Sequence, residues 1–433
     1  MTGISRVATV AAFTVASVYA IELTSLAVRY LWVDREERRL VDERADKLRQ
    51  RHLDRFEAMG RVVDRRPLSE VLKEADAAGR PTIPFTPVFD AYRTSSRKIL
   101  PLGGVSNTHT VTGNYNGFWS IVRHDEHGLN NDPDAWKDKV DYVIFGISVV
   151  YGTDINRPEN FVQTLRDGHG VKILNFGYAT AQVPDAYRAQ IREFFPLITP
   201  PKAVLWTAVD GLQGMYVHST GKSAGQVMRS EVLDKYADPS YSQSLATRQP
   251  EVDAATWAAF AESRDESFSA MTIGAEKSHL RDVLFLRNLR TVIRLVKGWS
   301  VVPPSSSLDD DLRQSPSAAE TACHEAVMAH DLDVLNKTAA ELKEKYNTKV
   351  IVLYLAVRDR VDGHYKGNDF CYNSYLDSVK KAGYDVIDLP KIIADRHIAV
   401  DDLYEFNSSG HYSRNGHAIV ADILAKELDR IGY

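Results

Sequence analysis

Five apolar runs, Val140–Phe145, Val171–Phe176, Ala203–Thr207, Val350–Leu355 and the shorter Tyr384–Leu389, constrain this chain most, because each gives way to a polar or glycine-bearing loop and then to a helix-like pattern. Near-continuous apolar runs of this length suit strands covered on both faces. Strands separated by helices close most economically as a parallel sheet with helices on either side. The expectation is an α/β fold built on a doubly wound, parallel, five-stranded sheet.

The chain has 433 residues, too many for one small core, which calls for one large domain with insertions or for two domains. A formal net charge of -5 leaves no basic footprint for nucleic acid. Thr108–Arg123 alternates β-branched and aromatic residues with polar ones around Gly113 and Asn116-Gly117, as a hairpin does. Gln213–Leu295 is largely helical and too long for a simple crossover, so it reads as an insertion. Pro303–Ala318, with paired prolines and a run of serines, reads as a surface loop. Cys323 and Cys371 are the only cysteines, so no disulfide framework holds the fold, although one bridge between them stays open.

The amino terminus has a different character. Val7–Val28 is mostly apolar and long enough to cross about 30 Å of hydrocarbon, with Glu22 toward one end, so a single transmembrane anchor over residues 1–33 is expected. A cleaved signal peptide ending near Val18-Tyr19-Ala20 is the alternative. The excess of Lys and Arg after the run, Arg29 to Arg49 against Arg6 before it, argues by the positive-inside rule for a cytoplasmic domain. Residues 34–99 then read as a charged helical stalk and linker, with Leu40, Leu48, Leu53, Phe56 and Met59 at loosely helical spacing, and residues 100–433 as the main domain.

The first strand carries the chemical signal. Tyr-Val-Ile-Phe-Gly-Ile-Ser, Tyr142 to Ser148, puts a serine at the carboxyl end of a buried strand, where ligands of open α/β sheets bind, and Gly146 clears the approach. A strand-ending serine in a plain turn is the ordinary reading of such a segment. A nucleophile needs a base, and His411, in Gly410-His411-Tyr412-Ser413 just before the final helix Ala418–Ile431, can return to the strand ends.

At these residues the chain resembles the SGNH (GDSL-like) hydrolases, in the membrane-anchored bacterial form associated with surface polysaccharides. The resemblance runs from about Leu100 to the carboxyl terminus. It rests on Gly103-Gly104 with Ser106-Asn107, the Ser148 block, Asn175-Phe176-Gly177, Val204-Leu205-Trp206, Tyr241 to Leu245 and the Gly-His-Tyr ending, in that order. It implies that Ser148 is the nucleophile, His411 the general base, and the Gly177 and Ser148 N–H groups the oxyanion donors. The chain departs from the pattern at three places. Gly146-Ile147-Ser148 stands for Gly-Asp-Ser, Gly211-Leu212-Gln213 stands for Gly-Asn-Asp, and Ser408 occupies the place of the Asp three residues before the histidine. Asp402, or its neighbour Asp401, would then supply the acid, or the site would work as a Ser-His dyad. The resemblance also favours an extracytoplasmic domain at a bacterial inner membrane, against the Lys and Arg count.

Other motifs are weaker. Gly221-Lys222-Ser223 lacks the glycine spacing and the preceding strand of a phosphate loop, and His324, Glu325 and His330 lack the spacing of a zinc helix, so neither cofactor nor metal is expected. His124 to His127 reads as a solvated hairpin end and His417 as a helix-start residue. The expected activity is that of a serine esterase or acyltransferase on O-acyl groups, plausibly acetyl, of a carbohydrate. The other expectation is an inactive member of that family binding polysaccharide or an envelope partner.

Overall fold

The computed structural model describes residues 13–14, 17–25, 47, 49–85, 91–92, 94–96, 98–114, 116–178, 184–209, 235–236, 238–263, 318–363, 369–404 and 411–432. Its centre is a five-stranded, all-parallel sheet of β4 (Tyr142–Gly146), β5 (Ile173–Gly177), β6 (Ala203–Val209), β7 (Lys349–Leu355) and β8 (Asp385–Asp388), in the spatial order β5-β4-β6-β7-β8. The first strand of this sheet therefore lies between the second and the third, which is the flavodoxin-like order, and the topological switch point falls between β4 and β6. Ladders pair Phe145 with Phe176 on one side and with Trp206 on the other.

Alternation along the strands feeds two cores. Val143, Phe145, Leu174, Phe176, Val204, Trp206, Val352 and Tyr354 face one side, packed by α4 (Pro184–Phe194), α5 (Leu245–Ser263), α6 (Ala318–Tyr346) and α7 (Asp369–Lys381). Ile144, Ile173, Leu205, Ile351, Leu353 and Ile387 face the other, against α3 (Phe161–His169), α8 (Leu389–Asp395), α9 (Val400–Leu403) and α10 (Arg414–Ile431). Both faces are covered, which explains why the strands read as continuous apolar runs rather than as alternating ones.

A second, three-stranded sheet stands beside this body. It joins β1 (Thr82–Pro84) in parallel to β2 (His109–Gly113), and β2 in antiparallel to β3 (Ser120–Arg123), so the expected hairpin forms. The carboxyl-terminal part of the charged segment is helical and packs inward: Leu53 and Phe56 are buried, and Asp64 N–H donates to Gly117 O at 2.7 Å. Helix α1 (Leu68–Ala77) follows and turns Val71 and Ala75 inward.

Several expectations lie wholly or partly outside the described residues. Only residues 13–14 and 17–25 of the Val7–Val28 run are described, and they are helical. Among the described residues no helix is long and apolar enough to cross a membrane. The predicted insertion is described at 235–236 and 238–263, where α5 anchors to the body: the Glu193 carboxylate accepts from Gln243 N–H at 2.6 Å and Leu245 N–H at 2.8 Å. Gly211 to Gln213, Gly221 to Ser223, most of the predicted Pro303–Ala318 loop and the side chains of Cys323 and Cys371 fall outside.

Candidate active site at the switch point

Strand β4 ends on Gly146 because nothing larger fits: a Cβ there would stand 2.2 Å from Val150 Cγ2 and 3.0 Å from Thr207 Oγ1. The chain can therefore turn at once into a one-turn helix, α2 (Ser148–Tyr151), whose first residue is the serine. Val150 N–H and Tyr151 N–H both donate to Ile147 O, which closes the turn. Gly152 ends it in the left-handed region at φ 89°, and Asp154, also left-handed at φ 66°, brings its carboxylate back toward the start of the helix. Carbonyls at the end of α2 are held by asparagine amides: Val150 O accepts from Asn175 at 2.8 Å and Asn160 at 3.2 Å, and Tyr151 O accepts from Asn130 at 2.7 Å.

His411 reaches this place from the far end of the chain. Tyr412, next to it, is fully buried and donates its hydroxyl to Ala356 O at 3.0 Å, and Ser413 caps α10 by accepting from Gly416 N–H at 3.0 Å. Gly416 permits the close crossing, since a Cβ would come within 2.2 Å of Leu403 O. The histidine is thereby fixed by the residues that follow it, and its Nε2 lies 2.8 Å from Ser148 Oγ. Its Nδ1 lies 2.7 Å from Asp154 Oδ2. An ionised carboxylate can only accept, so Nδ1 carries the proton and Nε2 is left as the acceptor for the serine hydroxyl. The Asp154 side chain is 1% exposed and that of His411 16%, so the polar chain opens toward solvent at the serine end.

Ser148 and His411 are thus brought together, and the acid beside them is Asp154, not Asp402. Asp402 is exposed on α9, and its backbone carbonyl, not its carboxylate, accepts from Asn415 Nδ2 at 3.0 Å. Asp401 faces Arg358 at 3.8 Å. Gly177 does not present a free donor either. Its N–H is taken by Asn175 Oδ1 at 2.8 Å, a local side-chain bond two residues back. Its lack of a side chain serves packing instead, because a Cβ would sit 2.5 Å from Tyr151 N. The Ser148 N–H, first in α2, has no acceptor within its own helix, as at any helix start.

His417 sits in the first turn of α10, fully buried, accepting from Phe161 N–H at 3.1 Å and stacked on the Phe161 ring. Burial pushes its imidazole down to about 3, so it is neutral and structural. The predicted solvated end at His124–His127 is instead a buried polar knot. Asp125 accepts from His127 N–H and Leu129 N–H at 2.9 Å, and from Asn131 Nδ2 and Trp136 Nε1 at 2.8 Å. Burial raises its carboxyl to about 6 against the pull of those donors. His124, pushed by burial to about 4, lies with Nε2 2.7 Å from the Tyr151 hydroxyl and so ties the knot to α2. Alternation places these residues at a hairpin end, but Val105 and Tyr151 close on His124, and Trp136 and Phe194 pack on His127. Among the described residues, no group of three His, Cys, Asp or Glu could hold a metal ion.

Asp154 was legible only as an acid in a Gly-Thr-Asp turn six residues past the serine, a weak signal with no partner in view. No family model, curated protein or solved structure matches the chain.

Proposed function

We propose that the chain is a serine acyl-transfer enzyme, a hydrolase or transferase of ester-linked acyl groups, with Ser148 as nucleophile, His411 as general base and Asp154 as the acid that orients it. The observation that carries this reading is the continuous chain from Ser148 Oγ through both nitrogens of His411 to Asp154, at 2.8 and 2.7 Å, beside the switch point of the sheet. A hydroxyl becomes a useful nucleophile when an adjacent base can take its proton and a third group holds that base in the correct tautomer.

In this mechanism Ser148 Oγ attacks the acyl carbonyl carbon while its proton passes to His411 Nε2. The tetrahedral oxyanion forms at the Ser148 N–H, which has no acceptor within its own helix. Collapse breaks the bond to the alcohol oxygen, and His411 returns the proton to that leaving oxygen, giving an acyl-serine and a free hydroxyl. Water, or a second hydroxyl, then attacks the acyl-serine with His411 as base once more. The likeness of the sequence blocks to SGNH hydrolases supports O-acylated carbohydrate as the substrate class. The apolar run at the amino terminus supports a tether to a membrane.

The alternative, an inactive protein binding polysaccharide or an envelope partner, rests on the missing Asn of the Gly211 block, which lies outside the described residues, and on the missing Asp before His411, in whose place Asp154 stands beside the imidazole. The test is labelling of the full-length protein by a fluorophosphonate probe, which reads an activated serine without knowledge of the substrate. Labelling lost in Ser148→Ala and in His411→Ala supports the reading; a parent protein that stays unlabelled overturns it.

A further inference from the structure

The acid of the site is set by the small sheet, not by the sheet that carries the serine. Segment 154–156 lies along the β2–β3 hairpin and is held there residue by residue: Asn116 Nδ2 donates to Asp154 O at 2.9 Å, Ser120 Oγ donates to Ile155 O at 3.0 Å, and Ile121 N–H donates to Asn156 Oδ1 at 3.1 Å. These bonds fix a backbone that is left-handed at Asp154, a conformation that an aspartate adopts at some cost unless its surroundings over-determine it. The space for the carboxylate comes from the same hairpin. A Cβ added at Gly113, the last residue of β2, would stand 1.7 Å from Asp154 Oδ1 and 2.9 Å from its Cγ. Because Oδ2 of that carboxylate is on His411, the carboxylate cannot swing away without leaving the imidazole.

We infer that Gly113 is a positioning residue for the reaction proposed above, acting on Ser148 only through Asp154 and His411, with Asn116 as its helper on the backbone. The inference rests on that reading of the site. The three-stranded sheet thus sets the orientation of the general base, so a change at Gly113 controls the reactivity of the serine through Asp154 and His411.

The test is a double-mutant cycle on the full-length protein, read by fluorophosphonate labelling rate and by the low-field proton resonance of the His411 imidazole hydrogen-bonded to Asp154. Gly113→Ala is expected to label as slowly as Asp154→Ala, down by as much as about 10⁴-fold, since losing the orienting acid costs that much where it sets the tautomer. It should also lose the low-field resonance while keeping the near-ultraviolet dichroism of the fold. In the Asp154→Ala background, where the clashing carboxylate is gone, adding Gly113→Ala should slow labelling no further. Parental labelling in Gly113→Ala, or a double variant slowed by the full product of the two single effects, overturns the inference. If Gly113→Ala fails to fold, Asn116→Ala decides: a weakened resonance with slower labelling supports the inference, and an unchanged resonance overturns it. A parent that shows the resonance but does not label defeats the enzyme reading alone, and the resonance in Gly113→Ala still decides the role of Gly113, its survival overturning that role.

Discussion

At Ser148 the hydroxyl has one strong acceptor, His411 Nε2 at 2.8 Å, and whether it reacts depends on which nitrogen of that ring holds the proton. Asp154 decides this by accepting from Nδ1. Asp154→Asn tests the point at its sharpest, because the amide NH₂ can donate to Nδ1 and so favour the tautomer whose Nε2 carries the proton and cannot take another. Fluorophosphonate labelling is expected to fall by about 10³ to 10⁴ in that variant, as the loss of an orienting carboxylate does elsewhere. Asp402→Asn, at an exposed position whose described hydrogen bonds are all made by its backbone, is expected to label like the parent. A fall in the second variant with none in the first would return the acid's role to Asp402. Serine and histidine were legible as candidates because each sits at a recognisable local boundary, a strand ending in glycine and a loop before the last helix. The acid was not, because a carboxylate in a turn has no periodicity to reveal what it faces.

Helix α2 is four residues long, and one turn of helix is unfavourable on its own because its ordering cost is met by very few hydrogen bonds. Its stability is therefore tertiary, supplied by the carboxamides of Asn130, Asn160 and Asn175 on its last carbonyls and by the backbone of β5 against its side. Asn175→Ala removes the bond to Val150 O and leaves the buried Gly177 N–H without Asn175 Oδ1. Unfolding free energy should drop by roughly 1 to 3 kcal/mol, the usual range for leaving a buried polar group unpaired, and urea denaturation would measure it. Gly177→Ala should be at least as damaging to labelling, since its Cβ would meet Tyr151 N at 2.5 Å and push α2 off the strand end. Full labelling with full stability in that variant would show that the gap between β5 and α2 can open freely. The asparagines stood in the sequence without any common spacing, and only the convergence of β5, α3 and the loop after β3 on one short helix gives them a shared purpose.

Over the whole molecule, buried titratable groups tie stability to pH. His417 is neutral in the folded protein, with burial pushing it down to about 3 from an ordinary 6.5. Between those values the unfolded chain binds a proton that the folded chain refuses, so this contribution is lost as pH falls below about 6.5. Asp125 works the other way: with its carboxyl raised by burial from 3.8 to about 6, the folded chain takes up that proton first, so its contribution grows as pH falls through that window. A comparison of variants separates the two. His417→Asn keeps an acceptor for Phe161 N–H and removes the titration, so its urea midpoint should fall less than the parent's between about pH 7 and pH 5. Equal falls would remove His417 from the account. By itself the sequence determined the sheet, the approximate limits of its five strands, the hairpin and the two residues that meet at the switch point, because burial on both faces of a strand leaves a mark on every residue of the run. Only the tertiary structure decided that Asp154 is the acid, that the Gly177 N–H is already engaged, and that His124 and Asp125 are interior. Each of these depends on partners brought together by packing, as with Asp154 and His411, 257 residues apart, and a hydrogen bond at that separation is fixed by the paths of loops that no local pattern encodes.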